Sequence, residues 1–376
     1  MSQLAAALDV RDHRFGAGAP FTVGIEEEYM LLDPESFDLV PGAERILAAE
    51  REGELAAHVS PELFESLVEF HTGVCANVAD AAAELRALRR HAVLAARRQD
   101  LRLGSAGTHP FSLFERQRLM RRDRYRALID ELQYAGRREL IYGLHVHIAV
   151  DDPDRAIHVV DALRAHLCEL VALSANSPFW RGAPTGYASC RHMIFSAFPR
   201  SGPPPAFSSY DEYASVIEQL IAAGALEDYT RTWWDVRPHP RFGTVEVRVM
   251  DAVTDLEDAI ALAAYVQALV HHYAGAPGCA VHPVIANENK WRAARYGLEA
   301  HVSDPAEGGP VALRYLVERT LETIAPSAAA LGSEPQLAGI GRILRNGNGA
   351  DRQRAASAAT GDMRAVVRDV AARSRI

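Results

Sequence analysis

Three short segments of this chain each place two ionisable side chains two residues apart within an apolar run. In a β-strand, residues i and i+2 point to the same face of the sheet. Three such strands side by side would put carboxylates, imidazoles and a guanidinium on one face. Burying that face is unfavourable unless cations and phosphates neutralise it, so the pattern indicates a site for metal ions and a nucleotide. The pairs are Glu26 and Glu28, His145 and His147, and Glu246 and Arg248.

Each pair also has a purely structural explanation. Glu26 and Glu28 could lie on a solvated strand edge, although an exposed edge more often carries charges of mixed sign. A single buried histidine is usually bonded to backbone, but a pair on one face is harder to explain in this way. The His-x-His spacing also suits the zinc site of a hydrolase. Glu246 could simply pair with strand neighbours.

Two other segments add polar groups. Glu62 could belong to a solvated turn, whereas Glu69 lies between two apolar residues and is harder to dismiss. Asn289, Arg292 and Tyr296 are spaced i, i+3 and i+7, so they would share one face of a helix. An anionic ligand and a solvated helix would both explain that face.

The composition limits the kinds of partner. The chain has 376 residues, of which 48% are hydrophobic and 24% charged, which is typical of a soluble protein with a large core. The net charge of −9 argues against a nucleic-acid or anionic-membrane surface. No segment approaches the roughly 20 apolar residues of a membrane span. The cysteines have no CxxC spacing, which fits a reducing cytoplasm. They are Cys75, Cys168, Cys190 and Cys279.

Strands and helices are both expected between these segments. The patterns predict strands over residues 22–32, 66–72, 101–107, 139–150, 231–236 and 243–250. They predict helices over residues 78–98, 120–134, 153–175, 210–223, 255–273 and 311–324. One site built from residues 26 to 248 favours a single domain over residues 20–376, after a loose leader of residues 1–19. Neither GxxxxGK[ST] nor GxGxxG occurs, so metals and arginines would have to hold a nucleotide.

Taken together and in this order, the segments resemble the type 2 glutamate-cysteine ligases, which are carboxylate-amine ligases of the glutamine synthetase superfamily. Residues 24–33 (GIEEEYMLLD), 144–147 (LHVH) and 245–248 (VEVR) are similar to its Gly-x-Glu-x-Glu, His-x-His and Glu-x-Arg strands. Residues 174–179 (SANSPF), 185–189 (TGYAS) and 291–297 (WRAARYG) are similar to segments of type 2 members. The resemblance covers most of the chain. It implies an α+β fold with a glutamine synthetase-like curved, largely antiparallel sheet and helices on the convex side.

The resemblance also implies roles for individual residues. ATP and two or three Mg²⁺ or Mn²⁺ ions would lie on the concave face, where carboxylate oxygens suit hard cations. Arg248 is the expected catalytic residue. The predicted metal ligands are Glu26, Glu62 and Glu69 for one ion, and Glu28, His145 and Glu246 for another. The predicted ATP- or substrate-binding residues are His147, Arg191, Arg248, Asn289, Arg292 and Arg295.

The function implied by the resemblance is ATP-dependent ligation. The enzyme would phosphorylate a carboxylate, expected to be the γ-carboxylate of glutamate, and the amine of cysteine would displace phosphate. The expected partners are small-molecule amino-acid substrates and ATP, with no nucleic acid and no membrane, and a homodimer is left open. Two alternatives remain: a guanidino kinase-like phosphotransferase and a His-x-His zinc hydrolase. Since ligation needs no nucleophilic side chain, structural roles are expected for the cysteines.

Overall fold

An antiparallel sheet of seven strands carries the segments described above. The computed structural model describes residues 8–375 except 52, 54, 279, 280, 305 and 306. The sheet has the strand order β10-β11-β5-β1-β3-β2, with β4 also pairing with β1, and all of these pairings are antiparallel. This architecture confirms the predicted α+β class and largely antiparallel sheet. Within the described residues the strands are β1 (Val23–Leu32), β2 (Val59–Pro61), β3 (Leu67–His71), β4 (Arg102–Gly104), β5 (Gly143–Ala149), β6 (Phe179–Trp180), β7 (Ala183–Pro184), β8 (Ser201–Gly202), β9 (Trp233–Trp234), β10 (Val236–His239), β11 (Thr244–Asp251), β12 (His301–Asp304) and β13 (Gly309–Ala312).

Helices pack against the apolar face of this sheet. Ile25, Val146 and Val247 are paired across β1, β5 and β11, and all three are 0% exposed. They share one core with residues of α2, α5 and α9. Because side chains alternate along a strand, the neighbouring positions face the other way. The helices are α1 (Ala43–Glu50), α2 (Val78–Arg98), α3 (Asp123–Leu132), α4 (Tyr134–Arg137), α5 (Pro153–Leu163), α6 (Leu167–Ser174), α7 (Cys190–Phe195), α8 (Tyr210–Ala222), α9 (Leu256–Gly275), α10 (Pro283–Tyr296), α11 (Leu313–Leu331), α12 (Glu334–Leu337), α13 (Gly339–Asn346), α14 (Gly349–Thr360) and α15 (Met363–Arg373).

Helix α2 has the bounds that its sequence predicts. The side chain of Asn77 accepts a hydrogen bond from Asp80 N at 2.9 Å and caps the first turn. Leu85 and Leu88, at helical spacing, are buried. The alanine-rich remainder allows the helix to lie close to β1 and α9. The cap therefore determines where α2 begins, and the apolar stripe packs the helix behind strand β1.

The single helix predicted over residues 153–175 is interrupted. Helix α5 ends at Leu163, a 3₁₀ turn covers Arg164–His166, and α6 follows. Arg164 is 2% exposed and donates from Nε to the carbonyl of Pro204 at 3.0 Å. His166 bonds through Nδ1 to Glu169 at 3.0 Å. The prediction was wrong here because these buried polar contacts leave no trace in helical periodicity.

Residues 8–19 form the described part of the segment predicted to be a loose leader, and residues 1–7 lie outside the described residues. Val10 is 2% exposed and Phe15 8%, and both belong to the main core. The amide of Gly16 donates to the carbonyl of Val150 at 3.2 Å. Val10, Phe15 and Gly16 therefore contact the rest of the chain, and most of the residues around them are exposed. The division into a leader and one domain stays a prediction.

Two expectations from composition concern membranes and cysteines. Among the described residues, no helix has both the length and the apolar character needed to cross a bilayer. Cys75, Cys168 and Cys190 are buried free thiols. Burial raises the pKa of each thiol, to about 12 for Cys75 and for Cys190, which fits unreactive structural residues. Cys279 lies outside the described residues.

Candidate active site

The central strands bring two histidines against two carboxylates. Glu26 is paired with His145 across β1 and β5, and Glu246 with His147 across β5 and β11. His145 Nδ1 lies 3.1 Å from Glu26 Oε2. His147 Nε2 lies 3.3 Å from Glu26 Oε1 and 3.9 Å from Glu246 Oε1. The predicted site residues on these three strands therefore meet on one face.

The two imidazoles differ in protonation. Burial, followed by the charge of Arg248, lowers the pKa of His145 to about 4, so its ring is neutral at neutral pH. Burial would also lower the pKa of His147, but Glu26 and Glu246 outweigh it and raise that pKa. Burial would raise the pKa of Glu26, and the two histidines instead hold it well below its usual range. His147 Nδ1 bonds to Thr244 at 3.0 Å, and its buried Nε2 is paired with Glu26 and Glu246.

Three more carboxylates crowd together beside this row. Glu28 is paired with Glu69 across β1 and β3, and oxygens of Glu28, Glu62 and Glu69 lie within 4.8 Å of one another. Burial, followed by the charge of Glu62, raises the pKa of Glu28 to about 8. Burial and Glu26 raise the pKa of Glu69 well above its usual value, and burial raises that of Glu62. A bound cation would relieve this crowding of like charges.

Arg248 owes its position to a β-bulge. The register between β11 and β5 shifts between Val247 and Met250, so Arg248 lies where the regular ladder is interrupted. Its Nη1 donates to Glu246 Oε1. Arg237, on the edge strand β10, donates to Glu246 from Nε at 2.7 Å and from Nη2 at 3.3 Å. Two guanidiniums thus hold one carboxylate, and they keep the pKa of Glu246 well below its usual range despite its burial.

The residues present fit divalent metal ions. Oxygen donors dominate, with imidazole as the only nitrogen donor, which suits Mg²⁺ or Mn²⁺. The grouping of donors differs from the one implied by the resemblance, because Glu26 joins Glu69 and His145, and Glu62 joins Glu28 and Glu69. The assignment of residues to particular ions stays a prediction. Three groups within the described residues have ligand atoms within 4.8 Å of one another: Glu26, His147 and Glu246; Glu26, Glu69 and His145; Glu28, Glu62 and Glu69.

Two cavities flank this polar cluster. The first, of about 490 Å³, includes Glu26, Glu69 and His147 in its lining. The second, of about 550 Å³, includes Glu62. Arg241 and Phe242 line both cavities. The volumes lie in the range of small-molecule sites. The cluster is therefore accessible from two adjoining cavities.

Arg191 supports the cluster from the side. It is 4% exposed, and it donates to the carbonyls of Arg248 and Val249 at 3.2 Å each. A Cβ at Gly143 would lie 2.6 Å from Arg191 Nη2 and 2.8 Å from His145 Nε2, so a side chain there would displace these two groups. Arg191 thus lies beside the predicted site and fixes the backbone that carries Arg248. Its role in binding ATP or substrate stays a prediction.

The segment before Arg191, residues 174–190, is rich in glycine, proline and serine. It is anchored to Asp251, which accepts hydrogen bonds from Asn176 N at 2.8 Å and from the hydroxyls of Ser177 and Ser189 at 2.7 Å each. The amide of Arg191 donates to the Ser177 hydroxyl at 3.1 Å. The polar serines and asparagine therefore position Arg191.

Three predicted binding residues on α10 contact other parts of the protein. Asn289 is 5% exposed and forms two hydrogen bonds with the backbone of Ser303, at 2.7 and 2.8 Å. Arg292 is exposed and donates to Glu288 at 2.7 Å. Arg295 donates to the carbonyl of Gly186. None of these contacts, within the described ranges, involves the cluster, and a ligand for these residues stays a prediction.

Several basic residues near the cluster were not predicted from the sequence. Arg237 and His239 repeat the i, i+2 signal, but the predicted strand stopped at residue 236. Arg241 follows in the turn between β10 and β11, and Arg124 lines the second cavity. Arg14 comes from the predicted leader and lines the first. Turn and leader residues carry no periodic signal, so spacing could have revealed only Arg237 and His239.

Comparison with known proteins identifies a family and relatives that match most of the chain. Residues 22–369 match the family model of glutamate-cysteine ligase family 2. A relative from Rubrobacter xylanophilus, provisionally named glutamate-cysteine ligase 2-3, is 45% identical over 94% of this chain and 97% of its own length. Another from Solibacter usitatus, provisionally named glutamate-cysteine ligase 2, is 40% identical over 92% of this chain and 91% of its own.

Solved structures support the same fold at low sequence identity. A glutamate-cysteine ligase from Francisella tularensis, in complex with AMP, has a TM-score of 0.70 at 14% identity and covers 95% of this chain and 89% of its own. A bifunctional glutathione synthetase from Pasteurella multocida has a TM-score of 0.68 at 16% identity over 94% of this chain and 53% of its own. At these identities the likeness concerns the fold. The family match over most of the sequence carries the assignment: the chain belongs to glutamate-cysteine ligase family 2.

Proposed function

We propose that the protein is an ATP-dependent carboxylate-amine ligase that joins the γ-carboxylate of glutamate to the amine of cysteine through an acyl phosphate. The observation that carries the proposal is the cluster of carboxylates and imidazoles between two cavities. A buried group of like charges needs cations, and cations bound there would in turn attract the phosphates of ATP. The family membership supports the same chemistry.

The two cavities suit different substrates. The first is lined by Val74 and Phe242, which offer apolar surface for a base, and by Glu26 and His147 of the cluster. We assign it to ATP. The second is lined by guanidiniums and carboxylates, which match the opposite charges of an amino acid. We assign it to glutamate and the acceptor amine. The charged residues that line it include Glu62, Arg124, Glu227, Asp228 and Arg231.

Mg²⁺ or Mn²⁺, when bound, supplies charge neutralisation for the β- and γ-phosphates. The residues that would hold these ions are Glu26, Glu28, Glu62, Glu69, His145 and Glu246. Arg248 is fixed by Glu246, and its buried Nε has no hydrogen-bond partner among the described residues. That N–H can donate to a phosphoryl oxygen. His147, whose Nε2 lies 3.3 Å from Glu26 Oε1 in the cluster, is assigned to the phosphates.

The reaction proceeds in two displacements. A γ-carboxylate oxygen of glutamate attacks the γ-phosphorus of ATP, the bond to the β-phosphate oxygen breaks, and ADP leaves. The neutral amine then attacks the acyl carbon, and phosphate leaves with the electrons of the carbon–oxygen bond. The nitrogen loses one proton to solvent. Arg248 and His147 orient the phosphates, and no side chain becomes covalently modified.

Product stoichiometry tests this proposal. With ATP, Mg²⁺, glutamate and cysteine, the protein should form ADP, phosphate and a γ-glutamyl amide in equal amounts, and omission of the amine should prevent amide formation. A panel of other amines should accompany cysteine, because the acceptor pocket is the least specified part of the site. A stable phosphorylated product with a guanidino substrate would favour a phosphotransferase. Amide hydrolysis without ATP by zinc-loaded protein would favour a hydrolase.

Two further features belong to the proposal. We propose a cytoplasmic location, which the buried free thiols of Cys75, Cys168 and Cys190 support, because an oxidising compartment favours disulfides. A homodimer stays a prediction, and sedimentation of the purified protein would test it.

A further inference from the structure

The N-terminal strap, defined as residues 8–17, is fastened to the body of the protein at several points. Val10 and Phe15 are buried in the main core. The hydroxyl of Tyr210 donates to the carbonyl of Val10 at 2.6 Å. Arg11 pairs with Asp211 at 2.7 Å and with Glu218 at 2.6 Å on helix α8. The strap thus has a defined path across the protein.

This path brings the strap against the turn between β10 and β11. The amide of Arg14 donates to the carbonyl of Pro240 at 2.9 Å. Gly243 ends the turn with a φ of +66°, and a Cβ there would lie 2.3 Å from the carbonyl oxygen of Arg14. Only glycine allows this contact. The same turn carries Arg241 and Phe242, which line both cavities.

The strap and the turn each place one arginine in the wall of the 490 Å³ cavity, namely Arg14 and Arg241. Both side chains are exposed, and within the described ranges neither has a carboxylate partner. Many other arginines of this protein are paired, as Arg11, Arg237 and Arg248 are. Two arginines without a carboxylate partner among the described residues therefore line a cavity whose lining also includes Glu26 and Glu69.

We propose that Arg14 and Arg241 form a cationic clamp on the phosphates of ATP, so that the N-terminal strap is part of the nucleotide site. The inference rests on the proposed function, because it assigns the first cavity to ATP. Guanidiniums bind phosphate oxygens through paired N–H donors. The phosphates of ATP would supply the negatively charged partner that Arg14 and Arg241 lack. The strap is then needed for nucleotide binding.

Calorimetric binding of ATP and of adenosine to the full-length protein, with Mg²⁺ and without amino acids, tests the clamp. Arg14→Ala should weaken ATP binding about tenfold or more, since a charge-assisted hydrogen bond is lost, and should leave adenosine binding unchanged. Arg241→Ala should behave alike. Arg121→Ala is the matched control, because Arg121 is an exposed arginine that lines neither cavity. It should bind both ligands like the wild type.

A second variant tests the strap without removing a charge. Gly243→Ala should push the strap from the turn and weaken ATP binding, with the melting temperature measured in parallel to confirm folding. Wild-type ATP affinity in Arg14→Ala would overturn the clamp. Equal losses for ATP and adenosine would also overturn it, because they would place Arg14 at the base. If the wild type itself fails to bind ATP, the proposed function falls together with the clamp.

Discussion

Strand β1 carries carboxylates on both of its faces, and the partners of these carboxylates differ between the two faces. On the helix-facing side, Glu27 is 2% exposed and accepts hydrogen bonds from Arg89 and from the hydroxyl of Tyr29. Arg89 places its remaining donors on the carbonyls of Thr254, at 2.6 Å, and Val253, at 3.2 Å. The buried charge is therefore balanced by a cation from the protein itself.

On the other side, Glu26 and Glu28 join further acids and two imidazoles. The hydrogen bond to Glu28 comes from the amide of Gly143, and Glu62 and Glu69 raise the local negative charge. Glu27 has its cation built in, whereas within the described residues no ion pair joins Glu28, Glu62 or Glu69 to a cation. The presence of a partner cation, more than the degree of burial, therefore distinguishes a structural carboxylate from these candidate metal ligands. This difference also defines experiments that treat the faces separately.

The largest effect is expected on the helix-facing side. Glu27→Gln leaves the guanidinium of Arg89 buried without a carboxylate, which should lower the free energy of unfolding by about 3–5 kcal/mol. Chemical denaturation measures this fall in the free energy of unfolding. A double variant with Arg89→Leu should recover part of the loss, and turnover per folded molecule should stay near the wild-type rate. A loss below about 1 kcal/mol would mean that the two faces do not differ in this way.

The buried histidine His109 allows the same comparison for imidazoles, through the pH dependence of protein stability. His109 lies outside the cluster with both ring nitrogens bonded, one of them to the carbonyl of Phe37 at 2.9 Å. Burial lowers its pKa to about 4, so it stays neutral in the folded state while the unfolded chain takes up a proton below about pH 6.5. Its contribution to stability is thus lost as the pH falls from about 6.5 to 4, by up to about 3 kcal/mol.

Denaturation at several pH values checks this expectation by difference. The His109→Asn variant cannot titrate there, so the gap in stability between it and the wild type should narrow as the pH falls. A gap that stays constant between about pH 7 and pH 4 would contradict the assignment, because the wild type would then lose nothing through His109. Other buried histidines titrate in both proteins and cancel in the comparison.

The next effect concerns the polar cluster. Glu28→Gln should reduce ADP release by about 10- to 100-fold at limiting Mg²⁺, as expected when a metal ligand is lost. It should leave the metal-free protein equally or more stable, since burial and Glu62 disfavour the ionised carboxyl of Glu28 and raise its pKa, and an amide carries no such cost. Glu65→Gln is the matched control from a neighbouring segment outside the cluster. Near-normal ADP release, or a clear fall in melting temperature without metal, would place Glu28 among the structural carboxylates.

Much of the fold could be predicted because alternation of side chains is a local property. The pairs on β1, β5 and β11 follow from i, i+2 spacing alone, and the ends of α2 follow from its cap and apolar stripe. Helix α14 was missed because it buries only small or polar residues, Gly349, Ala350 and Gln353, and so has no apolar stripe. Hydrophobic periodicity could not reveal an element, such as this helix, whose buried positions hold small or polar residues.

Tertiary contacts explain the other misses. The pattern at residues 254–257 predicts a capping box, but the hydroxyl of Thr254 donates to the carbonyl of Ser105 at 2.8 Å, and Asp255 pairs with Arg352 at 3.3 Å. Both partners are distant in sequence. The bulge that places Arg248 is likewise invisible in a single strand, because it depends on the register of two. Sequence thus indicated which groups form the cluster but not the partners that orient them.

The smallest of the expected effects concerns Arg248, which lies at the bulge. Arg248→Lys keeps the positive charge but loses the planar set of N–H donors, of which Nη1 holds Glu246 and Nε is without a partner. If Nε contacts the moving phosphoryl group, kcat should fall about tenfold with little change in KM for ATP, because a transition-state interaction is lost. Arg237→Lys, on the edge of the same carboxylate, should lower kcat less, since Arg237 only supports Glu246. A rise in KM at unchanged kcat would show that Arg248 binds ATP in the ground state alone, and that the bulge positions a binding residue instead of a catalytic one.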